Sequence, residues 1–162
     1  MSPRAAWRLE ALGFQEVYDY VDGKADWAAA GLPRAGTAAA ERSAGDAADS
    51  DVPTCSLDDE LRALRDRIAV SGWDQCIVVN DDRVVLGQLG RRALTSNDEL
   101  TVEDAMTDGP RTIRPNVPLA DLLERLELQN LRSAIVTTSG GQLLGIVRRS
   151  DPNRFDRSPV EP

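Results

Sequence analysis

Two stretches of this sequence, QCIVVNDDRVVLGQLGR at residues 75–91 and SAIVTTSGGQLLGIVRR at residues 133–149, share one design. Each begins with an apolar run rich in β-branched residues, passes through a short turn of polar residues or glycines, and continues with a second apolar run that contains a glycine. Apolar runs bounded by turn residues are typical of β-strands, and a short turn between two of them predicts a hairpin. The sequence therefore predicts two related hairpins.

The similarity extends outward from the hairpins. Residues 54–93 align with residues 112–151 at a constant offset of 58 without a gap, and leucines at helical spacing precede each hairpin. Each copy is thus predicted to run strand, helix, strand, strand and the start of a further helix. Identical residues fill equivalent positions: Thr54/Thr112, Leu61/Leu119, Leu64/Leu122, Arg67/Arg125, Ile77/Ile135, Val78/Val136, Leu86/Leu144, Gly87/Gly145 and Arg91/Arg149.

A unit of this kind has a half-exposed sheet that must be covered. Packing the two copies face to face buries both sheets, which predicts an α/β (α+β) fold with a pseudo-two-fold axis. The seam between the copies would form two related clefts, and such clefts are natural ligand sites. The alternative is an α/β domain in which the internal similarity is accidental.

The second copy carries the motifs that resemble a known family. It opens with Thr-Ile-Arg-Pro at 112–115, continues with Pro118-Leu119 and Ser133–Val136, and closes with Gly-Ile-Val-Arg-Arg-Ser-Asp at 145–151. This pattern resembles cystathionine-β-synthase-type (CBS) domains, which occur in tandem. The resemblance covers about residues 52–152. It implies two β-α-β-β-α repeats, at 52–108 and 109–156, followed by a disordered tail at 157–162.

The resemblance also implies a ligand. In CBS pairs the closing run ends in an aspartate that accepts hydrogen bonds from both ribose hydroxyls, while a preceding Thr or Ser binds ribose or phosphate and apolar groups sandwich the adenine. Transferred to the second copy, this implies a site for an adenosine-containing ligand such as AMP or ATP, with no cofactor required. The residues concerned are Asp151, Arg148, Gly145, Ile146, Thr112, Ile113, Arg114 and Ala134.

This chain departs from the family pattern at three positions. Arg148 stands where the hydroxyl residue is expected; an arginine can hold phosphate bidentately, or it can be a solvated charge. Asp151 can bind ribose or simply cap a helix. In the first copy the equivalent positions are Gly90 and Ala93, which have lost both polar groups. The sequence therefore predicts at most one ribose site.

Composition excludes several other classes of function. The net charge is −8 and neither part of the chain is basic, which argues against an extended nucleic-acid interface. Histidine, the commonest general base and metal ligand, is absent, and no metal site is predicted. Cys55 and Cys76 lack the spacing of a disulfide framework and are interpreted as buried thiols in a reducing compartment. With no signal peptide or membrane-spanning stretch in the sequence, we expect a cytoplasmic protein without a membrane partner.

The N-terminal residues 1–34 have a resemblance of their own. A predicted helix from Ser2-Pro3, a strand over Glu16–Val21 and a short helix over Ala25–Ala30, with Gly-Leu-Pro at 31–33, resemble the last third of a rhodanese domain. The rhodanese active-site cysteine would precede this helix, so we expect a remnant without sulfurtransferase activity, or a start site placed too far downstream. The segment either docks on the CBS pair through Trp7, Phe14, Tyr18 and Trp27 or is poorly ordered.

Residues 35–51 are different in composition. They contain no Leu, Ile, Val or aromatic residue and are rich in Ala, Ser, Gly and Asp. A stretch of this kind is predicted to be a flexible linker.

Three hypotheses on function follow. The first is a regulatory module that senses an adenosine-containing ligand and modulates a separate, unidentified partner protein. The second is a degenerate CBS pair that serves as a dimerisation or interaction module without a ligand, and the apolar faces of the helices at 57–68 and 119–126 predict a homodimer in either case. The third, a sulfurtransferase, lacks the cysteine loop, and no catalytic residues are predicted.

Overall fold

The computed structural model describes residues 3–18, 23, 26, 27, 30, 32, 33, 41–95 and 100–150. Asp151 and the predicted tail at 157–162 lie outside the described residues, as does half of the predicted helix over Ala25–Ala30. The helices are α1 (Pro3–Ala11), α2 (Ala44–Ala47), α3 (Leu61–Ala69), α4 (Arg91–Thr95), α5 (Val102–Ala105) and α6 (Leu119–Leu128). The strands are β1 (Thr54–Cys55), β2 (Cys76–Val79), β3 (Val85–Leu89), β4 (Thr107–Asp108), β5 (Thr112–Ile113), β6 (Ser133–Thr137) and β7 (Leu143–Arg148).

The strands form two sheets of the same design. The first has the order β1-β2-β3-β4 and the second the order β5-β6-β7. In each sheet the first strand runs parallel to the second, and the second pairs antiparallel with the third. The register shifts after Val78 in the first hairpin and after Val136, its equivalent, in the second. The predicted α/β fold, its two hairpins and the repeat between them are therefore confirmed.

Helices α3 and α6 cover these sheets with their leucine-rich faces. Six of the eight predicted apolar positions are buried, because a spacing of three and four residues places them on one face. Each side chain buried in this way stabilises the folded state by about 1.5–3 kcal/mol. These residues are Leu61, Leu64 and Ile68 in α3 and Leu119, Leu122 and Leu126 in α6. The other two, Leu57 and Leu123, are half-buried.

A pseudo-two-fold axis relates the two copies, and contacts between equivalent residues mark it. Val84 forms a β-bridge with Gln142, its equivalent in the second copy. Around this bridge the Val85 N–H donates to the Gly141 carbonyl at 3.0 Å, and reciprocally the Leu143 N–H donates to the Arg83 carbonyl at 2.9 Å. The hairpins thus face each other, and a shared core lies between them, formed by Val52, Ile77, Ile135, Leu143 and Ile146.

The flexible linker predicted for residues 35–51 is wrong where the structure describes it, from residue 41 onward. Ser43 caps α2 through a capping box with Asp46, and Ala44 is fully buried. Asp49 forms a β-bridge with Ile146, in which each backbone N–H donates to the other's carbonyl. The composition was misleading because the backbone of this segment approaches its neighbours too closely for large side chains. A Cβ built on Gly45 would lie only 2.9 Å from the Pro115 Cβ.

This segment, residues 43–50, is the beginning of the first copy, not the linker that its composition predicts. Its helix α2 is equivalent to α5 at the same offset of 58, and Thr101 caps α5 as Ser43 caps α2. Ala44 packs in the core of the second copy, whereas Val102 packs in the core of the first. The two copies therefore exchange their opening segments. The repeats begin near residues 43 and 101, earlier than the predicted starts at 52 and 109.

The N-terminal segment is only partly as predicted. Helix α1 is present, but residues 16–18 of the predicted strand are not in a β-strand. Trp7, Phe14 and Tyr18 are exposed and do not provide the predicted docking surface. A polar contact instead joins this segment to the second copy, where Asp26 accepts hydrogen bonds from the backbone N–H and the hydroxyl of Ser139. These bonds lower the pKa of the Asp26 carboxyl.

Candidate ligand cleft

A cleft of about 480 Å³ opens between the two copies at the end of β7. The first copy contributes the chain that leads from α3 into β2, and the second contributes the entry to β6 and the exit from β7. Since β6 and β7 are antiparallel, with Ser133 opposite Arg148, this entry and exit meet at one edge of the sheet. The lining residues are Gly72, Asp74, Gln75, Arg132, Ser133, Arg148, Arg149 and Ser150.

The floor of the cleft lies on the pseudo-two-fold axis. Gln75 and Ser133 occupy equivalent positions, and the Gln75 Nε2 donates to the Ser133 hydroxyl at 3.2 Å. Gln88 in turn donates to the Gln75 Oε1 at 2.7 Å, which fixes the orientation of the buried amide. Arg132 and Asp74, a second equivalent pair, form an ion pair of 3.8 Å at the surface. The floor is therefore polar and already partnered.

Arg148 forms one wall of the cleft and contacts Trp73 and Asp49 of the opposite copy. Its guanidinium lies 4.2 Å from the centre of the Trp73 ring, which is a cation–π geometry. Its Nη2 atom lies 3.7 Å from a carboxylate oxygen of Asp49. The sequence-based hypotheses for Arg148 were a phosphate ligand or a solvated charge. The structure places it at the cleft, but with protein partners that neither hypothesis anticipated.

The other predicted site residues do not gather around Arg148. Gly145 and Ile146 lie beneath the exchanged segment, and Ile146 is buried in the core shared by the two copies. Ala134 packs on the core of the second copy. Thr112 and Ile113 form β5, and Arg114, which directly follows it, donates to the Thr138 carbonyl at the hairpin end. Arg114 and Arg148 are thus at opposite ends of β6, separated by roughly five residues of about 3.3 Å rise each. Asp151 directly follows the cleft residue Ser150 but lies outside the described residues.

The residues that correspond to Arg148, Asp151 and Trp73 at the other end of the module are different. Ala93, the counterpart of Asp151, is half-buried against the first core, and its carbonyl accepts a hydrogen bond from the Arg65 Nε at 3.1 Å. Gly90 stands at the position of Arg148, and Leu131 stands at the position of Trp73. The contact between Arg148 and Trp73 therefore has no counterpart at the equivalent positions, Gly90 and Leu131.

The two cysteines take no part in this cleft. Cys55 and Cys76 are free and buried in the first core, as predicted. The hydrogen bond to Cys55 and burial both raise the pKa of the Cys76 thiol far above its usual range. A thiol held protonated in this way is a poor nucleophile. In the part of the chain that the structure describes, no cluster of three metal-ligating side chains occurs, and no helix is long and apolar enough to cross a membrane.

The comparisons with known proteins agree with this architecture. Residues 102–154 match the family model of the CBS domain. The match begins at α5, near the structural repeat boundary at Thr101 and before residue 109. No curated protein matches the chain.

Solved structures share the fold at low sequence identity. An uncharacterized conserved protein from Pyrococcus horikoshii is 17% identical with a TM-score of 0.61, covering 75% of this chain and 97% of that one. CBSX2 in complex with AMP is 17% identical with a TM-score of 0.61, covering 70% and 95%. The CBS domain pair of protein MJ0100, in complex with 5′-methylthioadenosine and S-adenosyl-L-methionine, is 17% identical with a TM-score of 0.59, covering 71% and 95%. The fold is that of a CBS domain pair, and the predicted rhodanese resemblance of residues 1–34 is not shown.

Proposed function

We propose that this protein is a regulatory module that binds an adenosine-containing ligand in the cleft between the copies and thereby modulates a separate partner protein. The observation that supports it most is the cleft itself, where three arginines and the residue preceding Asp151 meet at the seam between the copies. The arginines offer charge to a phosphate, and the Trp73 indole beneath Arg148 is an aromatic surface of the kind on which a base can stack. Two proteins with this fold were solved with AMP or with adenosyl compounds.

The ribose position of this proposal is Asp151, which follows Ser150 at the rim of the cleft. A carboxylate has two acceptor oxygens and suits a vicinal diol. The cleft needs no contribution from Arg114, so we restrict the proposed site to the residues around Arg148.

We predict that Asp151→Ala weakens nucleotide binding about 10- to 100-fold, because losing the hydrogen bonds between the ribose and this charged acceptor costs roughly 1.5–3 kcal/mol in total. Calorimetric titration with AMP, ATP and S-adenosyl-L-methionine measures the effect. Ala93→Asp is the matched control, since Ala93 holds the equivalent position in the other copy, and we expect this variant to bind as the parent does. Equal affinity of the parent and Asp151→Ala would show that the ribose lies elsewhere.

A second candidate function, a dimerisation module without a ligand, is favoured by one observation. Val70 and Leu128 are equivalent positions at the ends of α3 and α6, and their exposed fractions are 87% and 80%. Two large apolar side chains displayed symmetrically about the pseudo-two-fold axis can be covered by a second copy of the chain.

We predict a homodimer that Leu128→Glu weakens, because the added charge would have to be buried in the interface. Light scattering at roughly tens of micromolar, where an interface of ordinary affinity is occupied, measures the mass. Leu12→Glu places the same charge on an exposed leucine outside these helices and serves as the control. A parent mass near that of one chain, 17.6 kDa, contradicts the prediction.

A further inference from the structure

The most unusual contact of the cleft is the one that covers Trp73. The Arg148 guanidinium lies 4.2 Å from the centre of the indole ring, and Arg148 itself lines the cleft. A base that stacked on this face of the indole would have to displace Arg148 from it. Because the Arg148 side chain keeps about 31% of its surface exposed, it has room to move toward the cleft.

Asp49 is paired with Arg148 in this position and is itself buried. Its side chain is only 6% exposed, and its backbone pairs on both sides with Ile146. One carboxylate oxygen accepts the Asp51 N–H at 3.0 Å, while the other lies 3.7 Å from the Arg148 Nη2. The anchor is therefore fixed to the exchanged segment, and Arg148 is the long, partly exposed partner of the pair.

A phosphate is the chemical group best suited to move Arg148 from this anchor. A separation of 3.7 Å is long for a charge-assisted hydrogen bond, whereas a phosphate can accept two parallel N–H bonds from one guanidinium at about 2.7–2.9 Å. Arg132 and Arg149 line the same cleft and raise its attraction for an anion. A neutral nucleoside has no group of this strength to offer.

We propose that Arg148 is a latch that selects phosphorylated ligands: it closes Trp73 while paired with Asp49, and a ligand phosphate draws it away and frees the indole for the base. This inference rests on the proposed nucleotide site and adds to it the basis of discrimination between a nucleotide and a nucleoside. It assigns opposite effects to one side chain, since Arg148 attracts the phosphate and excludes the base.

The binding test compares AMP with adenosine by calorimetry in the full chain. In Arg148→Gln we expect AMP affinity to fall about tenfold or more, since hydrogen bonds to charged groups are lost, and adenosine affinity to rise about two- to fivefold, since the cation–π competitor is gone. Arg111→Gln removes the same charge at an exposed position outside the cleft and should leave adenosine affinity unchanged. An unchanged or lower adenosine affinity in Arg148→Gln overturns the latch, because a simple phosphate contact predicts no gain.

A second measurement tests the latch without a ligand. In a chain carrying Trp7→Phe and Trp27→Phe, the remaining tryptophan is Trp73, and acrylamide quenching of its fluorescence reports how far the ring is covered. Quenching should increase in Arg148→Gln and in Asp49→Asn, and it should stay at the parent value in Arg111→Gln. Unchanged quenching in both of the first two variants overturns the latch. If quenching increases while the parent binds neither AMP nor adenosine, the latch exists and the proposed nucleotide function fails.

Discussion

A chain that lacks residues 1–51 is expected to lose the folded second copy, whereas a chain that lacks residues 1–40 is expected to keep it. Arg42 and the exchanged segment together make five backbone hydrogen bonds with the second copy, to Pro115, Val117, Leu119 and Ile146. At a net 0.5–1.5 kcal/mol each, they contribute about 3–7 kcal/mol. Since domains of this size have a total stability of about 5–15 kcal/mol, the loss should leave the second copy largely unfolded.

Urea unfolding followed by circular dichroism measures the effect in the full chain and both truncated chains. The chain without residues 1–40 is the control, because it removes the N-terminal segment and leaves Ser43–Ser50 intact. If the chain that starts at residue 52, where the sequence alone places the first repeat, unfolds at the same urea concentration as the full chain, the exchanged segment does not stabilise the fold.

Replacement of Gly145 by alanine is expected to lower the free energy of unfolding by about 2–6 kcal/mol. A Cβ at this position would lie 2.5 Å from the carbonyl oxygen of Asp49 and 2.7 Å from its carbonyl carbon. Both atoms belong to the backbone bridge between Asp49 and Ile146, so neither can move away without breaking it. Overpacking costs about 1–3 kcal/mol, and the glycine φ of 155°, which other residues rarely adopt, adds about 1–3 kcal/mol of strain.

The repeat supplies two controls for this prediction. Gly87 is the equivalent of Gly145, but the atom nearest to its added Cβ is the flexible Met106 sulfur, so Gly87→Ala should cost less. Gly90→Ala should be neutral, since an added Cβ would meet nothing within 4 Å. Thermal unfolding of the three variants ranks them. Equal melting temperatures for Gly145→Ala and Gly90→Ala would contradict a backbone contact at Asp49.

The apolar pattern does not predict the opening segments of the two copies. Matches in this pattern between the copies start at Thr54, yet Ser43 and Asp46 stand at the same offset from Thr101 and Asp104. Both pairs cap a short helix. The helix caps therefore carry the repeat into the opening segments. The composition of small residues nevertheless predicts disorder, because burial is usually associated with large side chains.

The candidate site was also only partly predictable from the sequence. Periodicity places Arg148 at the end of a strand, and the family pattern includes it in the predicted ligand site. Its partners, Asp49 and Trp73, come from the first copy, far away in sequence and without a motif of their own. Conversely, the family resemblance assigns Arg114 and Arg148 to one ligand site. The structure separates them, because β5 runs parallel to β6 and Arg114 follows it at the end of β6 that is far from Arg148.

The sequence by itself determined the two hairpins, the leucine faces of α3 and α6, and the repeat that relates them, because these depend on local periodicity and on burial of apolar side chains. Only the tertiary structure decided which copy each opening segment covers, and that Arg148 lies between Asp49 and Trp73. The physical reason is that these contacts depend on backbone approach and on the geometry of the pseudo-two-fold axis. Neither leaves a hydrophobic period in the chain.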